Sequence, residues 1–102
     1  MASGGWKSPP VTVALSFTDR LLGVRRRETD GLLIRSASVH GHGIRGPLRI
    51  IHLDRDGTVV HQDILMTGRR TAARAIWVLE LPIGVPGPET GARLTVLPSF
   101  VS

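Results

Sequence analysis

The chain contains no cysteine and no tyrosine, one lysine, two tryptophans and two phenylalanines. Without cysteine, disulfides and thiolate metal sites are excluded, and the redox compartment is left open. With aromatic residues at 4%, packing has to rely on Val, Leu and Ile. No stretch approaches the roughly 18 consecutive apolar residues of a transmembrane helix. The opening MASGGWKSPP has a single lysine and no apolar run, so it reads neither as a signal peptide nor as a membrane anchor. The expectation is a cytoplasmic protein.

What is present describes one small globular domain. The 102 residues are 41% hydrophobic and 21% charged, outside the range of disordered chains. A chain of this size buries roughly 65% of its unfolded surface, enough for one core without staples. The net charge of +5 comes almost wholly from arginine, with Lys7 the only lysine among thirteen basic residues. Arginine favours bidentate contact with carboxylate or phosphate. The plainer reading is a solvated basic surface, since arginine usage also follows base composition.

Met1 to Pro10 reads as a frayed tail before a single β domain over residues 11–102. Val11 to Phe17 alternates apolar and polar residues with the period of a half-buried strand. Thr18 or Asp19 can cap a short helix through Arg25. The Arg25, Arg26, Arg27 run with Glu28 and Asp30 is a solvated segment or an anion contact. Gly31 to Arg35 reads as a short buried strand and Ser36 to Pro47 as a glycine-rich loop. Leu48 to Asp54 and Thr58 to Leu65 read as two strands joined at Asp54-Arg55-Asp56-Gly57, a corner with the residues that tight hairpins require. Met66 to Arg74 reads as a loop carrying Arg69, Arg70 and Arg74. Ala75 to Leu81 is a further strand, followed by the irregular IGVPGPETG and a last strand at about Arg93 to Leu97. The resulting fold class is mainly β, or α+β at most: a small antiparallel curled sheet or partly closed barrel of about six strands with one short helix.

Several blocks, in order, resemble the small prokaryotic family known as domain of unknown function 192, over roughly residues 11–97. Arg20 and Gly23 match its early Arg-x-x-Gly, and Gly31 to Leu33 its Gly-x-Leu. Val39, His40, Arg45, Pro47, Leu48, Leu53, Asp54 and Gly57 fall in register with its central run. Val78-Leu79-Glu80-Leu81-Pro82-Ile83-Gly84 matches its later element. The departures fall on the candidate site. Gly41 stands at a family threonine, His42, Gly43 and Gly46 at phenylalanines, Arg49 at an acidic residue and His52 at an aromatic, while the closing Gly-Asp is Gly91-Ala92. The resemblance therefore implies a kept scaffold around an altered site.

Acid-base candidates are His40, His42, His52, His61, Asp54, Asp56, Asp63 and Glu80, with Asp54 and Asp56 also explained as turn formers. Glu80, at a strand end beside a proline, can accept backbone or arginine hydrogen bonds. No nucleophile elbow, phosphate loop or dinucleotide fingerprint is present, so no enzyme activity or cofactor is expected. His52 and His61 sit on strands joined by one hairpin and could be neighbours, with Asp63 a conceivable third ligand. Structural zinc sites want four ligands, usually with cysteine, and the plainer reading is two partly buried histidines. The sequence therefore points to a non-enzymatic accessory or ligand-binding module centred on the 40–49 loop. His40, His42, Arg45 and Arg49 are its contacts for a small anion or protein partner. The alternative is a basic module binding nucleic acid or another polyanion through Arg25, Arg26, Arg27, Arg69, Arg70 and Arg74.

Overall fold

The computed structural model describes residues 1–14, 31–36, 38–40 and 46–95. The helix expected over 18–25 and the end of the strand expected to Phe17 lie outside the described residues. The described residues are mainly β, with strands β1 (Ala2–Ser3), β2 (Trp6–Lys7), β3 (Val11–Ala14), β4 (Gly31–Arg35), β5 (Ser38–His40), β6 (Leu48–Leu53), β7 (Val59–Leu65), β8 (Arg70–Ala72) and β9 (Trp77–Pro82). Five of them form a sheet in the order β3-β4-β9-β6-β7, and β1-β2 and β5-β8 form two-stranded ribbons. The large sheet is open, so the domain is not a closed barrel. No helix among the described residues is long and apolar enough to cross a membrane.

Two features differ from the expected, mainly antiparallel arrangement of about six strands. β3 and β4 pair in parallel, Val11 beside Gly31 and Ala14 beside Ile34. Residues 15–30 between them are long enough for the crossover of a dozen or more residues that a parallel pair requires. Both segments read as loops also hold short strands, β5 and β8, which pair with each other. Three residues each, far apart in sequence, carry too little alternation to be recognised singly.

The first ten residues, expected to fray, fold as a hairpin around Gly4. Ala2 exchanges two backbone bonds of 2.9 Å with Thr95, and the Trp6 indole N–H donates to the Pro86 carbonyl at 2.7 Å. Apolar contact explains the difference, because Met1 and Trp6 pack on the main core. The expected last strand appears as isolated bridges, Thr58 to Arg93 and Ala2 to Thr95.

Alternation divides the sheet into two faces. Leu33, Ile51, Leu53, Val59, Leu79 and Leu81 form one buried face with Leu94, closed by the N-terminal hairpin and the 83–92 loop. We call it the loop face. Leu32, Ile34, Ile50, Leu65 and Val78 lie on the other, the ribbon face, with His52 and Glu80. Burying each such Leu or Ile side chain contributes about 1.5–3 kcal/mol.

The β6–β7 hairpin forms as its corner residues dictate. The Gly57 N–H donates to the Asp54 carbonyl at 3.0 Å, and one Asp54 carboxylate oxygen accepts the N–H groups of Asp56 and Thr58 at 2.9 Å each. Gly57 has φ of 84°, a region that favours glycine, and a Cβ there would sit 2.7 Å from the Leu94 carbonyl oxygen. The exposed edge of β7 is blunted. Val59 is bonded through its backbone to Gly91 and Ala92, and the Ile64 N–H is taken by the carboxylate of Asp63 at 2.8 Å.

Candidate functional site

Of the residues expected to bind a small anion, the two described, His40 and Arg49, belong to different sheets. His40 ends β5, where its register partner is Arg70. His42 and Arg45 lie outside the described residues. Arg49 belongs to the loop face, opposite the side that Thr71 of β8 approaches. Its Nε donates to the Val85 carbonyl at 2.9 Å and its stem runs beside Gly87, where a Cβ would be 3.0 Å from the Arg49 Cδ. Gln62 donates its side-chain amide to the Pro88 carbonyl at 2.6 Å, so Arg49 and Gln62 together hold the proline-rich loop. The arginine read as an anion contact is a loop anchor, because strand alternation turned it away from His40.

The expected polyanion cluster is also spread out, and Arg25, Arg26 and Arg27 lie outside the described residues. β7 ends at Leu65, beside Leu48, whereas β9 begins at Trp77, beside Leu53 at the far end of the sheet. The 66–76 segment must travel back along that length. Arg69 and Arg70 are exposed near its start, and Arg74 near its end, where it lines an open depression with Arg55, Asp54, Ala75 and Ile76.

The chemistry on the ribbon face was only half visible in the sequence. β6 and β7 run in register from Leu48–Leu65 to His52–His61, and then the register shifts so that Leu53 faces Val59. Val60 is the extra residue of a β-bulge. Regular pairing of this sequence would put Val60, Gln62 and Ile64 on the face of His52; with Val60 bulged, His61 and Asp63 lie there. Bulging out Val60 instead of pairing it thus keeps the cluster together.

His52 is fully buried, at 0% exposure, and its ring lies 5.5 Å from that of His61 at an interplanar angle of 37°. The His52 Nε2 is 3.1 Å from the Thr71 hydroxyl, which donates to an Asp63 carboxylate oxygen at 3.1 Å. His61 Nε2 stands 4.0 Å from the same oxygen. The direction of these bonds fixes the tautomer. An ionised carboxylate only accepts, so the one Thr71 proton goes to Asp63, and His52 must carry its proton on Nε2. Its Nδ1 is then a bare lone pair, buried and without a hydrogen-bond partner. Burial, followed by the neighbouring His61, lowers the proton affinity of His52 below the ordinary histidine value, and Asp63 opposes them.

Nothing in the sequence singles out Thr71, because no local pattern marks a threonine that completes a cluster from a distant segment. Asp54 is committed to its turn, as one sequence alternative held. Glu80 is buried at mid-strand on the ribbon face, between Leu32 and Ile50. Among the described residues no group of three or more His, Asp or Glu is arranged to hold a metal ion.

No family model and no curated protein matches the chain, so its resemblance to the domain of unknown function rests on sequence motifs alone. A crystal structure from Sinorhizobium meliloti 1021, described as a putative transcription regulator, aligns with a TM-score of 0.62 at 19% identity. The alignment covers 81% of this chain and 78% of that one. Similarity at that identity shows a shared fold.

Proposed function

We propose that this small β domain is a non-enzymatic ligand-binding module whose site is the β5–β8 ribbon together with the glycine-rich 40–49 loop, and that it takes small anions. The supporting observation is the register of His40 against Arg70, where the loop leaves β5. A histidine and an arginine separated by 29 intervening residues are cross-strand partners. Arg70 takes the part first read for Arg49, and the glycines of the loop allow backbone N–H groups to approach an anion. The non-enzymatic reading is supported by the commitment of Asp54 to its turn and the burial of His52.

Titration of the intact chain with inorganic phosphate and with succinate, followed by amide NMR shifts, tests the reading. Saturable shifts confined to residues 38–49 and 70–72, and lost in Arg70→Ala, are expected. Shifts spread over every arginine, or none, would remove the site.

A second, polyanion-binding reading rests on the exposure of Arg69, Arg70 and Arg74 rather than on a single patch, since the segment spreads them along the sheet, and the Sinorhizobium protein's description is compatible with it. Affinity for a DNA duplex should then fall steeply with salt through counterion release, and the slope should flatten when the three are replaced by alanine. A slope unmoved by the substitutions would sink this second reading.

A further inference from the structure

Thr71 ties the β5–β8 ribbon to the large sheet. Within the ribbon it stands opposite Val39, and its hydroxyl meets His52 of β6 and Asp63 of β7. We propose that His52 is a pH-sensitive latch: when its bare Nδ1 takes up a proton, Thr71 is unseated and the β5–β8 ribbon lifts from the sheet. As a control on ligand binding the latch rests on the reading above, although its opening needs no ligand.

The geometry allows no comfortable protonated state. An imidazolium donates from both nitrogens, and Nε2–H is already used on Thr71. A proton on Nδ1 would have no acceptor, because that atom is buried without a partner. Burying an unpaired donor together with a charge is costly enough to favour movement over acceptance.

The charged and titratable neighbours add to this. On β7, His61 faces His52 across the pair and lowers the proton affinity of His52. Asp63, also on β7, is linked to His52 through the Thr71 hydroxyl whose proton it already accepts. On β9 the direct partner is Val78, with Glu80 two residues further along the same face. On β8 Arg70 precedes Thr71 and is exposed. On β5, His40 is the register partner of Arg70.

The direction of the response follows. Folded His52 binds a proton less readily than a free histidine, whose value is 6.5. The unfolded or locally opened chain therefore takes up more protons as pH falls below that value. The stabilisation is fully present above it and is lost as pH falls through the folded value. Local opening of the ribbon relieves the strain without unfolding the sheet, since β5 and β8 are three residues each and stand outside the five-stranded sheet.

Amide hydrogen exchange on the intact chain, expressed as protection factors at about pH 7 and about pH 5, tests the latch. In the wild type, protection of residues 38–40 and 70–72 should fall at least tenfold at the lower pH while β4, β6 and β9 keep theirs. His52→Gln still presents an N–H to Thr71 but does not titrate, so its ribbon protection should not respond to pH. Thr71→Val removes the hydroxyl and should give a loose ribbon at both values. Wild-type ribbon protection that is unchanged, or an equal fall in H52Q, would overturn the proposal. If both variants fail to fold, wild-type NMR titration decides: the His52 ring and the β8 amides must share one midpoint, and separate midpoints would overturn it. Inorganic phosphate titrated at both pH values distinguishes the two readings, since phosphate that binds at neither counts against the ligand site alone while the exchange result still decides the latch.

Discussion

The two faces of the five-stranded sheet are built from the same strands and solve burial in opposite ways. On the loop face, Leu33, Ile51, Leu53, Val59, Leu79, Leu81 and Leu94 make one apolar cluster, with Arg49 and Gln62 at its rim gripping the proline-rich loop. On the ribbon face the apolar residues split into two smaller clusters, Ile50, Leu65 and Val78 in one and Leu32 with Ile34 in the other. Buried His52 and Glu80 share that face, and His52 is linked through Thr71 to the half-exposed Asp63. An apolar core is indifferent to pH and tolerates no void, whereas a hydrogen-bonded cluster depends on protonation state and on the completeness of its partners. Stability is thus concentrated on one face and responsiveness on the other.

That division can be broken most severely from the loop face. Ile51→Ala should destabilise the protein by about 2–5 kcal/mol, because Ile51 is fully buried between Leu79 and Gln62 and its neighbours are held by their own strands. Denaturant unfolding measures the loss, and a change under about 1 kcal/mol would mean that this face is not the principal core.

The hairpin that joins β6 to β7 gives an intermediate effect. Gly57→Val should cost about 1–3 kcal/mol, since the new residue must hold a positive φ and its Cβ meets the Leu94 carbonyl. The melting midpoint reports it, and an unchanged value would contradict the turn geometry.

Arg49→Ala sharpens the comparison with the smallest change, about 0.5–1.5 kcal/mol for the lost bond to Val85. Its NMR shifts should be confined to residues 83–90 and the adjoining strands. Shifts reaching residues 38–40 or 70–72 would instead tie Arg49 to the ribbon and restore it as a ligand contact.

The sequence displayed the apolar half of this architecture more openly than the polar half. Leu48 to Leu53 and Trp77 to Leu81 announce themselves by β-branched and leucine-rich runs, and Asp54 to Gly57 by turn chemistry that acts within four residues. The N-terminal hairpin was hidden because its stability comes from Thr95 and Pro86, at the other end of the described chain. β5 and β8 were hidden because each is three residues long and finds its partner across some thirty residues. His52 and His61 were recognisable as neighbours across one hairpin, but their union with Thr71 depends on a bulge that no residue type in Val59-Val60 advertises.

Val60 has a consequence for which surface this strand presents. In a β-strand the side a residue occupies is a matter of odd or even position, and one surplus residue inverts the parity of everything beyond it. β7 therefore carries two latent surfaces: with Val60 bulged, His61 and Asp63 share the face of His52, whereas pairing Val60 directly with His52 would put Val60, Gln62 and Ile64 there. Deleting Val60 would remove the bulge and leave His61 opposite His52. The chemistry of the ribbon face in this protein thus depends on where one residue is accommodated, and a residue-by-residue comparison of the strand would not record that choice.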